Sequence, residues 1–142
     1  MSFLLDTNVI SELRKSEQRA DRGVRSWTQT QQLDTLYLSV ITIMELEIGV
    51  GRLERRDALQ GATLRTWLDE RVLRAFEHRI LSIDLTVARR SAALHVPDPR
   101  PERDALIAAT ALVHDLVVVT RNESDFAPLA VRTLNPWHAS AP

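Results

Sequence analysis

The sequence predicts an α/β fold: a single domain built on a mainly parallel central sheet covered by helices. Three observations predict it. Short, largely apolar runs recur at Phe3–Leu5, Leu36–Val40, Ile80–Asp84 and in LVVVT. Stretches with three- and four-residue apolar spacing separate them. The alternation of strands with helices favours parallel pairing, with helices needed on both faces of the sheet.

The elements follow in order. Phe3–Leu5 reads as the end of a buried strand. Asn8–Lys15 is helical, with Val9, Ile10 and Leu13 on its apolar face, and the polar SEQRADRG breaks or restarts it. Val24–Gln31 reads as a second helix and Leu36–Val40 as the next strand. The segment from Thr42 to Phe76 favours two or three helices, carried by Leu46, Val50 and Leu53 and then by Leu64, Trp67, Leu68 and Val72. Gly49 and Gly51 weaken the first of these or permit a close approach, and the region of Gly61 reads as a hinge. After the Ile80–Asp84 strand, Asp84 is placed to cap the helix LTVARRSAAL. VPDPRPE is a connector, with Pro101 at or near the first turn of ERDALIAATALVHD. LVVVT is a buried strand running into the polar loop RNESDF, and VRTLN supplies a last short strand. Domain bounds of 1–137, with a C-terminal tail at 138–142, follow from this order.

The 142 residues suffice for one domain and its core, and 44% hydrophobic with 26% charged residues fits a soluble globule. With aromatics at 5%, aliphatic side chains must fill most of the interior. The absence of Cys excludes disulfides, thiolate metal sites and cysteine nucleophiles, and fits a reducing, cytoplasmic setting. The start MSFLL lacks the features of a signal peptide, and no apolar run approaches the roughly 18 residues of a membrane span. The formal charge is −1, but withdrawing four acids into a metal site would leave 18 basic residues against 15 acidic ones. All the basic residues but Lys15 are Arg, whose planar fork suits phosphate and, equally, ordinary surface ion pairs.

Four acids sit at strand ends or helix starts, and each has two readings. Asp6 is either the cap of the first helix or a ligand at a strand end, with Thr7 and Asn8 beside it. Thr42 and Glu45 match a capping box, which puts Glu45 in a first helical turn, whereas Glu47 lies about 200° around the helix and points elsewhere. Asp104, at a helix start, is favoured by the helix dipole or joins Asp6 and Glu45, with Ala108 and Ala111 on the packed side of its helix. Thr120, Asn122 and Asp125 form a local turn or close one side of a pocket, with Phe126 as the buried anchor. Gathering four like charges is costly without compensation, and Mg²⁺ or Mn²⁺ would supply it through hard oxygen ligands. The implied chemistry is metal-assisted phosphodiester hydrolysis. Competing signatures are absent: no GxxxxGK[ST] or GxGxxG, no HExxH, and no triad setting for Ser39 or Ser91.

Taken together, LLDTNVISEL, SVITIMELEIGVGRL, RPERDALIAATAL and LVVVTRNESDF resemble the motifs of PIN-domain ribonucleases, particularly VapC-type toxins of toxin–antitoxin systems. DTNVISEL and TRNESDF are similar to the FitB-like branch. The resemblance runs from Phe3 to Trp137 and shows no departure at the acidic positions. It implies Asp6, Glu45, Asp104 and Asp125 as catalytic and metal-binding residues for Mg²⁺ or Mn²⁺, with Thr7, Asn8, Thr120 and Asn122 in support. It further implies an RNA substrate, a cognate antitoxin, a homodimer, and a toxin–antitoxin hetero-oligomer bound to operator DNA through the antitoxin. Arg52, Arg55, Arg56 and Arg121 are candidate contacts to RNA or antitoxin. The Leu53–Phe76 region is a candidate for partner or dimer packing, and Trp67 reads as a packing residue. A noncatalytic PIN-like RNA- or protein-binding module and a metal-dependent DNA nuclease or phosphatase are the alternatives.

Overall fold

Five short parallel strands lie side by side in the order β3-β2-β1-β4-β5 in a computed structural model that describes residues 1–137. The tail expected at 138–142 lies outside the described residues. Strand β1 (Phe3–Leu5) leads through Asp6 into α1 (Thr7–Leu13), and Asp21 caps α2 (Arg22–Thr30) by accepting from Val24 N–H at 3.1 Å. Strand β2 (Leu36–Ser39) runs directly into the long α3 (Val40–Arg56), followed by α4 (Ala58–Thr66). A π-helical stretch at Trp67–Val72 carries the chain into α5 (Leu73–Ala75). Then come β3 (Ile80–Leu81), α6 (Leu85–Leu94), α7 (Glu102–His114), β4 (Val117–Val119), the short α8 (Glu123–Phe126) and β5 (Thr133–Leu134).

Both faces of the sheet are buried, which explains the continuous apolar strands. Side chains alternate across β1: Phe3 and Leu5 enter a core with Val9, Val24, Leu46, Val50 and Leu68, while Leu4 enters a second core with Ile107, Ala108, Ala111 and Phe126. Val117 and Val119 of β4 join the first core, and Val118 joins the second. Phe3 meets Trp27 edge-on, with ring centroids 5.0 Å apart. The small Ala side chains of α7 let that helix lie close to the sheet, as their spacing predicts.

Several local expectations are corrected. The cap of α3 is Ser39, whose Oγ accepts from Ile41 N–H at 3.0 Å, not Thr42 of the expected capping box. The helix starts as soon as β2 ends, so Thr42 is already inside it, fully buried, and Glu45 falls in the second turn rather than the first. The strand expected to run to Asp84 ends at Leu81, while Asp84 does cap α6, accepting from Val87 N–H at 2.9 Å. Gly61 is not a hinge. It is buried within α4 where that helix crosses α3, and a Cβ there would lie 2.4 Å from Glu54 Cα. Apart from the helix's own backbone and the adjoining residues, no atom would lie within 4 Å of a Cβ at Gly49 or Gly51, so neither serves a close approach.

These glycines give opposite expectations. Gly61→Ala should cost about 1–3 kcal/mol, because backbone must yield to the new methyl. Gly51→Ala, on the exposed side of α3, should add up to about 1 kcal/mol through helix propensity alone. Urea unfolding of the two variants beside the parent chain measures both, and equal midpoints would contradict the packing described.

Candidate functional site

The chain leaves β1 for β2 and β3 on one side and returns to β4 and β5 on the other. The carboxyl ends of β1 and β4 therefore flank the point where strand order reverses, the usual position of a crevice in such sheets. Asp6 N–H still pairs with Val119 C=O at 2.9 Å, and Thr120 N–H with Leu134 C=O at 3.0 Å. The ladder ends there, and the side chains of these two residues meet at the rim.

Asp6 caps a helix and also lines the cavity at the strand ends. Its Oδ1 accepts from Thr7 N–H at 2.8 Å, capping α1. Its Oδ2 accepts from the buried Thr120 Oγ1 at 2.8 Å and from Asn8 Nδ2 at 3.4 Å. Thr120 Oγ1 in turn accepts from Asn122 N–H at 3.0 Å, and Asn8 Oδ1 accepts from Arg121 N–H at 3.3 Å. The supporting residues Asn8, Thr120 and Asn122 thus tie the start of α1 to the loop after β4.

Thr7 reaches the other way. Its hydroxyl donates to Glu45 Oε1 at 2.6 Å, and Thr42 Oγ1 lies 3.3 Å from the same hydroxyl. Glu45 therefore faces α1, while Glu47 points away into an ion pair with Arg65 at 2.7 Å. Arg103 stands against the second oxygen of Glu45 at 3.5 Å. Asp104, in the first turn of α7, completes the group.

Asp6, Glu45 and Asp104 line one cavity of about 460 Å³, together with Thr7, Asn8, Ser11, Glu12, Lys15, Arg121, Asn122 and Trp137. Asp125 is exposed on α8 outside that lining, yet its charge acts on both Asp6 and Asp104. Arg52, Arg55 and Arg56 are exposed on the later turns of α3 and do not reach the cavity. A second cavity of about 350 Å³, near the amino ends of β1 and β4, holds Asp115 and His114 but no gathered carboxylates.

Burial raises the Asp6 carboxyl above the usual carboxylate range; the hydrogen bonds from Thr120 and Thr7 oppose this, and the Glu45 and Asp125 charges add to it. Asp104 is pushed up to about 6, again by burial first, then by the charges of Asp6, Asp125 and Glu45. Such mutual repulsion is what a cation relieves, and the donors are all hard oxygens of the kind Mg²⁺ and Mn²⁺ prefer. Among the described residues, no three acidic or histidine side chains converge tightly enough to enclose an ion. The chemistry of the donor set fits a hard divalent ion, with the carboxylates held further apart than in a closed site.

Sequence reasoning missed Ser11, Glu12, Lys15, Arg103 and Trp137. The spacing of Thr7, Asn8, Ser11, Glu12 and Lys15 along one side of α1 was a readable signal. Nothing in the sequence announced that Trp137, at the far end of the chain, or Arg103 would come to the same place.

In metal-free protein the Asp104 carboxyl should titrate near 6 by carboxyl ¹³C NMR, well above the ordinary value of 3.8. In Asp6→Asn the midpoint should fall, because one repelling charge is gone, but stay elevated because burial is the larger cause. The sign for stability is fixed: the folded state holds this proton more tightly than the unfolded chain, so stability declines as pH rises from about 4 to about 6 and does not recover above it. An Asp104 midpoint unmoved by Asp6→Asn would show that the two carboxylates do not share a field.

The model of the PIN domain matches residues 3–131. VapC ribonuclease Y4jK of Sinorhizobium fredii is 39% identical over 143 residues, covering 95% of this chain and 97% of that protein. Toxin FitB of Neisseria gonorrhoeae is 37% identical over 141 residues, covering 96% and 99%. The crystal structure of FitAcB from Neisseria gonorrhoeae superposes with a TM-score of 0.87 at 35% identity, covering 96% of this chain and 99% of that one. The parallel sheet, the acidic strand-end cavity and these likenesses agree: the chain belongs to the PIN domain family and is homologous to VapC- and FitB-type toxins of toxin–antitoxin systems, on the FitB side of that group.

Proposed function

We propose that this chain is a divalent-metal-dependent endoribonuclease, the toxin of a toxin–antitoxin pair, hydrolysing RNA phosphodiester bonds in the cytoplasm. The observation that carries the reading is the meeting of Asp6, Glu45 and Asp104, from three separate crossings of the chain, on one solvent-open cavity at the strand ends. The kinship with a VapC ribonuclease and with FitB supports it. By the same kinship, the partners are a cognate antitoxin and a second copy of the chain, with operator DNA reached through the antitoxin.

Asp6, Asp104, Glu45 and Asp125 are the residues that would hold Mg²⁺ or Mn²⁺, directly or through water. When bound, such an ion neutralises phosphate charge and makes a water acidic enough to attack near neutral pH. The protein's own share is positional. Thr120, Asn8 and Thr7 N–H fix the Asp6 carboxylate, and the Thr7 hydroxyl fixes Glu45. Arg103 balances part of the Glu45 charge. The raised Asp104 carboxyl is suited to exchange a proton close to neutral pH until a cation occupies the site.

Purified protein should cleave single-stranded RNA in Mn²⁺ or Mg²⁺ and lose this activity in EDTA. Asp6→Asn and Asp104→Asn should each lower the rate by about 100-fold or more. Thr7→Val should cost about 10–100-fold and require more metal for half-maximal activity, because Glu45 loses its support. Cleavage by Asp6→Asn equal to the parent would sink the mechanism. RNA binding with no cleavage would favour a noncatalytic module, and preference for DNA or small phosphate esters would redirect the substrate assignment.

A further inference from the structure

The cavity is not acidic throughout. Its lining follows one side of α1 from Asp6 and Thr7, through Asn8 and Ser11, to Glu12 and Lys15 just past the helix end. Seven helical residues rise about 10 Å, so the Lys15 end is set well apart from the carboxylate end. At that far end a single buried carboxylate faces two cations. Glu12, 8% exposed, accepts from Lys15 Nζ at 3.0 Å through one oxygen and from Asp21 N–H at 2.8 Å through the other. The Arg121 charge also acts on it. Among the described residues Arg121 enters no ion pair; its guanidinium lies 5.5 Å from the Trp137 ring centroid, in a cation–π contact at the cavity wall. Its backbone N–H is held by Asn8.

We propose that Lys15 and Arg121 form a phosphate-binding arm for single-stranded RNA, gripping a backbone phosphate next to the one that sits over the carboxylates. The assignment rests on the ribonuclease reading above and adds to it a polarity along the cavity. Carboxylates alone repel a polyanion; two cations against one carboxylate leave a net positive charge at the far end, which draws the strand in and fixes its register. The two cations are held differently, and each restraint has a role. Glu12 keeps Lys15 over the cavity instead of free in solvent, and it is itself anchored by the start of α2. Trp137 keeps the flat Arg121 guanidinium against the wall with its N–H edge available for phosphate oxygens. Glu12 and Trp137 are thus positioning residues, and the phosphate contacts belong to Lys15 and Arg121.

The arm predicts a salt signature. Fluorescence anisotropy with a labelled single-stranded RNA 20-mer, in an Asp6→Asn background, gives the slope of log affinity against log salt. Lys15→Gln and Arg121→Gln should each weaken binding about five- to twentyfold at low salt and each reduce the slope by about 0.7, the value of one phosphate contact on a single strand. Lys15→Arg should restore both. Arg132→Gln, which removes an exposed Arg paired with Asp115 at 3.1 Å and absent from the cavity lining, should change neither. Thermal midpoints of all variants should stay within a few degrees of the parent. Slopes unchanged in Lys15→Gln and Arg121→Gln, or reduced equally in Arg132→Gln, would overturn the arm. So would a loss confined to binding of a poly-glutamate peptide with RNA unaffected, which would give these cations to an acidic protein segment. Failure of the unmutated chain to cleave RNA in Mn²⁺ would overturn the ribonuclease reading itself, whatever the slopes.

Discussion

A carboxylate buried at the end of the central strand is the constraint around which the rim of this protein is arranged. Asp6 is only 8% exposed and lies within the field of Glu45 and Asp125. Two good donors, Thr7 N–H and the Thr120 hydroxyl, stabilise its ionised form, yet desolvation outweighs them and the carboxyl stays raised. Removing the Thr120 hydroxyl would leave Oδ2 with only the long contact from Asn8 at 3.4 Å, a loss of about 1–3 kcal/mol. The identities of the neighbours follow from this. Position 120 needs a hydroxyl that donates inward while accepting from Asn122, and Thr, being β-branched and at a strand end, does both within a strand-compatible backbone.

A second dependence runs from Asp6 to α3. Because Asp6 caps α1 through the N–H of Thr7, the Thr7 side chain is turned toward α3, where its hydroxyl meets Glu45 at 2.6 Å. One dipeptide at the end of β1 therefore sets the geometry of two acids that lie far apart in sequence. Ser39 contributes indirectly. By capping α3 at the last residue of β2, it fixes the phase of the helix, so that Thr42 and Glu45 face the α1 start while Glu47 turns toward Arg65.

The fold was legible because its causes are local and repeated. Apolar runs such as VVV have no polar face to present, so a sheet covered on both sides is the arrangement that buries them. The helices α6 and α7 carry their own start signals in Asp84 and Pro101. Of the four acids singled out in the sequence, Asp6, Glu45 and Asp104 line the cavity and Asp125 does not; the side chains that support them were less legible. The Thr42–Glu45 capping box failed because the helix begins three residues earlier than that box implies, with Ser39 taking the cap. Gly61 was misread because a glycine that admits a crossing helix and a glycine that relaxes a turn look alike in one dimension; the Glu54 backbone beside it decides. Arg103 and Trp137 carried no signal, since their roles arise from crossings that only the folded chain makes.

The sign of each carboxyl's shift separates acids that serve stability from acids that do not. Glu12 is as buried as Asp6, and burial alone would raise it, but the hydrogen bonds from Lys15 and Asp21 N–H, with the Lys15 and Arg121 charges, bring it below the ordinary range. It is a stabilising tie between α1 and α2. Asp104 has the position that a helix-stabilising acid should have, in the first turn of the thirteen-residue α7, where the helix dipole contributes about 0.3–1 kcal/mol in favour of negative charge. Its carboxyl is nonetheless raised to about 6, so burial and the surrounding charges exceed that benefit. Asp6, although a helix cap, is raised as well. An acid placed for capping alone would be lowered by its cap. Two raised acids on one cavity, Asp6 at an N-cap and Asp104 in a first helical turn, mean that the folded chain tolerates ionised carboxylates there at a cost to its own stability. Under the metal-dependent reading proposed above, a cation entering between them would recover that cost.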